Sequence, residues 1–432
     1  MKLKIDPSVT VGTIKPMNAV NNGPKYTDNA DQNLTNLPAF KAANIPYARV
    51  HDASICYDYG GEHTVDIHNI FPDFSADPYS PEAYDFTLTD MYLDHIELAG
   101  AEPFYRLGSK IEHWPKHYGI LPPADPHKWA VVCEHIIMHM NEGWADGRYR
   151  GIKYWEIWNE PDFNEKCWLG TPEEFYELFA VTAKHLKSRF PELKIGGPAV
   201  CGFNEKWLRP FFEKMRSENV PMDFYSWHRY GSCVADFTDD ARRHRALLDE
   251  FGYTEAESIL DEWNYVRGWS GEEWKNSLQT ELSMKGAAMI SAVMAACQRE
   301  AVDMLMYYDA RINSTMNGLF SFGTLEPLKG FHALSAWGEL LAAGDECKTE
   351  CDVPDIYAAA AVKDGQTVTV VTYYTDDEAA LPRSFTVELP GDELRTVSLL
   401  DESRDMTPYL SIAPDGGRFT LTMQPNTVVV IK

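Results

Sequence analysis

A chain of 432 residues is long enough to bury one large core and carry an appendage. Its 44% hydrophobic and 24% charged content is that of an ordinary globular protein, which argues against disorder and low-complexity function. A formal charge of -26 argues against nucleic acid or an anionic membrane as partner, because phosphate contacts need clustered Lys and Arg.

The chain opens with Met1-Lys2-Leu3-Lys4-Ile5-Asp6-Pro7, which lacks the apolar core of a signal peptide, so a cytoplasmic location is expected. From about residue 11, short β-like runs alternate with amphipathic segments. The expected strands are Val11–Met17, Pro46–Val50, Glu102–Leu107, Gly151–Trp158, Lys194–Gly197, Asp223–Trp227, Ser258–Glu262 and Asp303–Tyr308. Helical patterns fall at Leu88–Ala99, Lys128–Asn141, Pro172–Arg189, Glu205–Ser217, Asp240–Glu250, Thr280–Arg299 and Phe331–Ala342. Eight β/α units over residues 11–344 predict an α/β chain with a (β/α)8 barrel. The stretch Cys56–Tyr84 carries Gly60-Gly61, several prolines and many aromatics, and is expected to wall one side of a cleft at the C-terminal barrel mouth. The apolar run from Gly286 to Cys297 is too short to span a bilayer.

After Gly344 the pattern changes to β-rich runs: Tyr357–Val362, Thr367–Tyr374, Ser384–Leu389, Thr396–Leu400, Arg418–Met423 and Thr427–Ile431. Turn sequences such as Lys363-Asp364-Gly365 separate them. Residues 345–432 are therefore expected to form an antiparallel β-sandwich, with residues 1–10 adding a strand through Leu3–Ile5. The eight cysteines include no CxxC pair and read as reduced thiols.

Two segments carry chemistry. Tyr154-Trp155-Glu156-Ile157-Trp158-Asn159-Glu160-Pro161 is an apolar strand ending in Asn-Glu, followed by a proline that cannot extend it. Ile259-Leu260-Asp261-Glu262-Trp263-Asn264 has the same build. By the strand count, Glu160 follows barrel strand four and Glu262 ends strand seven, at the mouth where barrel enzymes hold their reactive groups. A pair of carboxyls so placed suits glycosidic cleavage, in which one group protonates the leaving oxygen and the other acts from the opposite face of the ring. Glu160, beside Trp158 and Pro161, is expected to have a pKa raised by desolvation; Glu262 must stay ionised near Arg49, His228 and Tyr230. Asn159 is placed to hold a sugar hydroxyl, and Arg49, inside an apolar strand, needs a carboxylate partner. His51 and Asp52 end the same strand and are candidate sugar ligands. Metal binding is not expected: the HxxxH-spaced His135 and His139 lie on an outer helix and read as surface polar residues, and no HExxH occurs. Neither a P-loop nor GxGxxG is present.

These residues resemble glycoside hydrolase family 39, the β-xylosidase and α-L-iduronidase family. The similarity lies in Trp158-Asn159-Glu160-Pro161-Asp162, Lys194-Ile195-Gly196-Gly197-Pro198-Ala199, Asn219-Val220-Pro221-Met222-Asp223-Phe224, Trp227-His228-Arg229-Tyr230, Gly318-Leu319-Phe320 and Lys329-Gly330-Phe331-His332-Ala333-Leu334. It implies Glu160 as acid/base, Glu262 as nucleophile, Asn159 as a 2-hydroxyl ligand, and Arg49, His51, His228 and Tyr230 as site residues, with no cofactor and no metal. It further implies a retaining exo-hydrolase acting on an oligosaccharide or glycoside, β-xylosidase-like. The chain departs from the family's xylosidases at Asp52, in the polar segment Leu107–His113, and in Asp261-Glu262-Trp263. These departures leave two alternatives: a glycosidase of the same fold for an arabinoside, galactoside or uronide, with Lys110 or Lys116 as the cation for the last, or a carbohydrate-binding barrel without turnover. A homo-oligomer is compatible with the sequence.

Overall fold

The computed structural model describes residues 1–25, 35–53, 63–113, 115–312 and 314–432. Eight parallel strands close into a barrel in sequential order: β2 (Ala19–Asn21), β3 (Tyr47–Val50), β4 (Glu102–Leu107), β5 (Tyr154–Ile157), β6 (Lys194–Val200), β7 (Phe224–Gly231), β8 (Glu257–Tyr265) and β9 (Met304–Tyr307). β1 (Lys2–Thr13) lies outside this barrel. It joins a nine-stranded sheet with β10 (Asp345–Cys351), β11 (Ile356–Lys363), β12 (Gln366–Tyr373), β13 (Arg383–Glu388), β14 (Arg395–Asp401), β15 (Arg404–Ile412), β16 (Arg418–Met423) and β17 (Thr427–Ile431). That sheet is antiparallel except where β1 runs parallel to β13.

The strand expected at Val11–Met17 is thus not a barrel strand. Val11 sits exposed near the end of β1, which pairs with β10, and the barrel opens instead with β2. Three residues are too few to reveal a period-2 pattern, and β1 is drawn away by its own sheet partners. The helix expected over Thr280–Arg299 is two helices, Gly271–Glu281 and Met284–Cys297. Ser283 interrupts them because its side chain caps the second helix, accepting from the N–H groups of Lys285 and Gly286. Two strands had no sequence signal. β10 carries Glu346 inward, where it accepts a hydrogen bond from Gln298, and β15 is a largely exposed edge strand containing Pro408.

Local chemistry explains the regular elements. The helix Pro172–Arg189 starts at a Thr171/Glu174 capping box with Pro at its first position. The helix Pro126–Glu142 is capped by Asp125 and ends at left-handed Gly143. The helix Met284–Cys297 is apolar nearly all round because it is buried on nearly all sides. β11 and β17 read as nearly continuous apolar runs, and β12 as a Val/Thr run, for the same reason. Ala358 and Ala360, Val371, and Val429 and Ile431 face the core of the nine-stranded sheet. Their alternates Ala359 and Ala361, Val370, and Val428 and Val430 belong to the core that includes the barrel helices.

Inside the barrel the floor is apolar. Ala19, Phe104, Tyr154, Phe224, Ile259, Met304 and Met306 form a separate cluster. The Phe104 ring lies 5.1 Å from Tyr154 and 5.2 Å from Phe224. No described helix is long and apolar enough to cross a membrane. The seven described cysteines are free thiols.

Candidate active site

One pleat further along the same strands, the barrel interior becomes ionic. Glu160 is held just past β5 by unusual backbone. Trp158 and Glu160 both have positive φ, 78° and 48°, and Gly108 passes so close that a Cβ there would sit 3.0 Å from Trp158 Cα. The Trp158 N–H donates to the Leu107 carbonyl, and the Glu160 N–H donates to the Ala199 carbonyl at 2.8 Å. Ala199 is the extra residue at a register shift in β6 and donates its own N–H to Ser226 Oγ. The strain is therefore fixed from two neighbouring strands.

Glu262 is placed by a second irregularity. Pairing of β7 with β8 matches Trp227 to Leu260 but His228 to Glu262, leaving Asp261 as the extra residue. The shift recurs between β8 and β9. In a regular strand Asp261 and Glu262 would face opposite sides; the bulge lets both reach Arg49.

Arg49 is fully buried and organises the cluster. Its Nε donates to Glu156 Oε2 at 2.7 Å and lies 3.1 Å from Asp261 Oδ2. Nη1 donates to Asn21 Oδ1 at 3.0 Å and to Glu262 Oε2 at 3.3 Å, and Nη2 donates to Asn159 Oδ1 at 2.7 Å. Binding Arg49 through Oδ1 turns the Asn159 amide N–H groups away from the guanidinium. Tyr230 donates its hydroxyl to Glu262 Oε1 at 2.5 Å. His228 Nδ1 is 2.8 Å from Glu160 Oε1 and 3.6 Å from Glu262 Oε2, and oxygens of the two glutamates come within 4.8 Å of each other.

The titration behaviour corrects the expectation for Glu160. Burial alone pushes its carboxyl up, but the hydrogen bond and charge of His228, helped by Cys201 and Cys167, hold it below the ordinary value. His228 moves the other way: burial depresses it, and Glu262 and Glu160 outweigh that and raise it. The proton between them therefore rests on the imidazole. Burial and the adjacent Glu262 push Tyr230 up, so its hydroxyl stays a donor.

The remaining candidates are placed as follows. Asp52 is closed into a knot with Lys110 Nζ at 2.9 Å, His51 Nδ1 at 3.0 Å and Arg311 Nη1 at 3.4 Å. Burial raises its carboxyl, yet the Arg311 and Lys110 cations, with the His51 hydrogen bond, hold it well below the carboxylate range. His51 is buried and depressed by desolvation, and its ring meets Tyr308 edge-on. Lys116 lies over the Tyr118 ring, and His113 is exposed. His135 and His139 are not surface residues. His139 stacks on Phe86 at 3.5 Å and bonds Trp144 O and Asp90, while His135 bonds Val131 O and meets Trp144. Their spacing serves packing between a helix and the loop before Thr87. Of the Cys56–Tyr84 stretch, residues 56–62 lie outside the described residues, Tyr57 and Tyr59 among them. Its described part packs Phe71 on Phe74 and Tyr84 and delivers Asp66 to Arg106 at 2.5 Å. His63, Asp66 and His68 gather there within 4.8 Å, but Asp66 already accepts from Arg106, the Lys110 N–H and His63.

Sequence reasoning passed over Glu156, Asp261, Arg106, Asp66, Asn21 and Arg311. Glu156 and Asp261 did leave a signal. Each is an acid inside an apolar strand, and the argument that demanded a partner for Arg49 applies equally to them.

Residues 35–295 match the sequence profile of the glycosyl hydrolases family 39. The chain belongs to family 39. It is 28% identical over 173 residues to the beta-xylosidases of Geobacillus stearothermophilus and Caldicellulosiruptor saccharolyticus; each match covers 38% of this chain. The matches cover 34% and 35% of those relatives, so the chain spans about a third of their length. Two solved structures share the fold of this family 39 chain, each overlapping all of it and 98% of the other. They are a glucosidase from Croceicoccus marinus (TM-score 0.81, 21% identity) and a monomeric beta-xylosidase from Caulobacter crescentus (TM-score 0.75, 16% identity). Members of family 39 are glycosyl hydrolases.

Proposed function

We propose that the chain is a retaining exo-glycosidase, β-xylosidase-like, with Glu262 as nucleophile and Glu160 as acid/base. The observation that carries this is the approach of the two carboxylates to within 4.8 Å, with His228 bridging them. Retaining enzymes separate their carboxyls by ~5 Å, whereas inverting ones need more than ~6.5 Å to admit water. Arg49 and Tyr230 orient Glu262 and leave its carboxylate free to attack the anomeric carbon. The His228 proton passes through Glu160 to the departing oxygen. Glu160 then takes a proton from water, which opens the glycosyl-enzyme. Asn159, fixed by Arg49, offers its amide to the adjacent hydroxyl.

The decisive experiment follows the anomer released from an aryl β-xyloside by proton NMR. Initial release of β-xylose supports the reading, and α-xylose overturns it. A second reading, the same chemistry on another glycoside, is favoured by the Asp52–Lys110–Arg311 knot beside the site. A panel of aryl arabinosides, galactosides, glucosides and uronides separates the two by kcat/KM.

A further inference from the structure

Glu156 and Asp261 are fully buried side by side in the barrel interior and share one guanidinium nitrogen, Arg49 Nε, at 2.7 and 3.1 Å. Arg49 also serves Glu262. Three carboxylates around one buried cation would leave excess negative charge among buried side chains, which a shared proton removes. Glu156 has other donors, Ser226 Oγ at 2.6 Å as well as Arg49, and these favour its ionised form. Asp261 has fewer. Its side-chain oxygens make no standard hydrogen bond to a neighbouring donor, although its backbone carbonyl accepts from Asn21. Asp261 Oδ1 instead faces His228 Nε2 at 3.5 Å, and that nitrogen makes no hydrogen bond of its own.

We infer that Asp261 is kept as the neutral acid, sharing its proton with Glu156, and that this sets how readily His228 yields its Nδ1 proton to Glu160. Asp261 is a positioning residue: it acts through His228 and touches no reacting atom. The charged groups facing it are Arg49 from β3, Glu156 from β5, His228 from β7 and its neighbour Glu262. Those facing His228 are Glu160, Glu262 and Asp261, with Arg49 behind. A neutral carboxyl beneath Nε2 fixes the ring without adding a second negative charge to hold the imidazolium. The proton on Nδ1 then stays within reach of Glu160: it passes through Glu160 to the leaving oxygen, so Glu160 returns to the carboxylate and His228 becomes neutral with hydrogen on Nε2. Burial beside Glu156 pushes the Asp261 carboxyl well above its usual range, in keeping with this arrangement. The catalytic part of the inference rests on the function proposed above; the protonation state of Asp261 does not.

The test uses three readouts on the full chain. Infrared spectra at pH 7 should show a carboxylic-acid C=O band that moves on 13C-aspartate labelling and vanishes in D261N. D261N, which imitates the neutral acid, should leave the basic limb of the pH profile in place whatever the change in kcat/KM on the aryl glycoside. E156Q removes the proton-sharing partner and lets Asp261 ionise, so its basic limb should rise by about one pH unit. Absence of an aspartic-acid band in wild type, or a basic limb that falls in D261N, overturns the inference. Should D261N fail to fold, the labelled wild-type band decides at pH 9, where Asp162 (about 6) and Asp309 (about 7), which burial also raises, are ionised. Should no glycoside be turned over, the proposed function falls, and 15N-histidine titration replaces the rate profile. An unchanged His228 pKa in D261N then upholds the inference, and a lowered one overturns it.

Discussion

The floor and the mouth of this barrel are built from the same strands, two residues apart, yet they obey opposite rules. On β4, Phe104 of the floor is followed by Arg106; on β5, Tyr154 by Glu156; on β8, Ile259 by Asp261. The floor is stabilised by rings in contact and tolerates almost any apolar substitution of similar volume. The mouth is stabilised only as a complete set, because each buried charge is costly unless its partners remain. Stability thus comes from the floor, and the mouth trades some of it for groups of defined charge and position. The positive φ values of Trp158, Glu160 and Ala199 belong to that trade.

The comparison breaks most visibly at Glu262. Glu262→Gln should lower kcat on an aryl glycoside by at least ~10³-fold while sugar binding, followed by calorimetry, persists. Wild-type-like turnover would remove Glu262 from the chemistry. Arg49→Met should cost about 3–5 kcal/mol in urea unfolding, since it strands the Glu156 and Glu262 carboxylates around a missing cation, and activity should go with it. A change below 1 kcal/mol would mean that the mouth, like the floor, tolerates loss of a partner.

The Arg106–Asp66 pair gives the mouth a pH signature. Burial pushes the Asp66 carboxyl up, but Arg106 and His63 outweigh it and hold it at about 2. Because the folded carboxyl titrates below the unfolded one, its contribution is present above about pH 4 and lost as pH falls towards 2. That contribution is about 2 kcal/mol, and the stability gap between wild type and Asp66→Asn should close over this window. A gap independent of pH would contradict the pairing. The smallest effect belongs to the floor. Tyr154→Phe keeps the ring against Phe104 and loses the hydroxyl bond to Glu257, so stability should fall by about 1 kcal/mol with kcat/KM unchanged. A large loss of activity there would erase the distinction between the two layers.

Much of the fold was legible because long elements repeat their period many times. The helices Pro172–Arg189 and Glu205–Ser217 and the strands Glu102–Leu107, Arg418–Met423 and Thr427–Ile431 lie where hydrophobic periodicity put them. β2 was missed because three residues carry no period, and β15 because an edge strand buries too little to need an apolar face. In the site, Arg49, His228 and Tyr230 do converge on Glu262 as the residue types suggested. The pKa of Glu160 was misjudged because its sequence neighbours, Trp158 and Pro161, were read as its environment. Its actual neighbour is His228, a strand away.

Sequence alone determined the alternation of strands and helices, the acidic surface, and the two glutamates at strand ends, because these follow from local pattern and residue type. Tertiary structure decided which charges meet. The bulge at Asp261 turns two adjacent acids to one side, and barrel closure brings Arg49, Glu156 and His228 against them across large separations in the chain. A side chain's protonation depends on the groups within a few ångströms of it, and only the folded barrel fixes which groups those are.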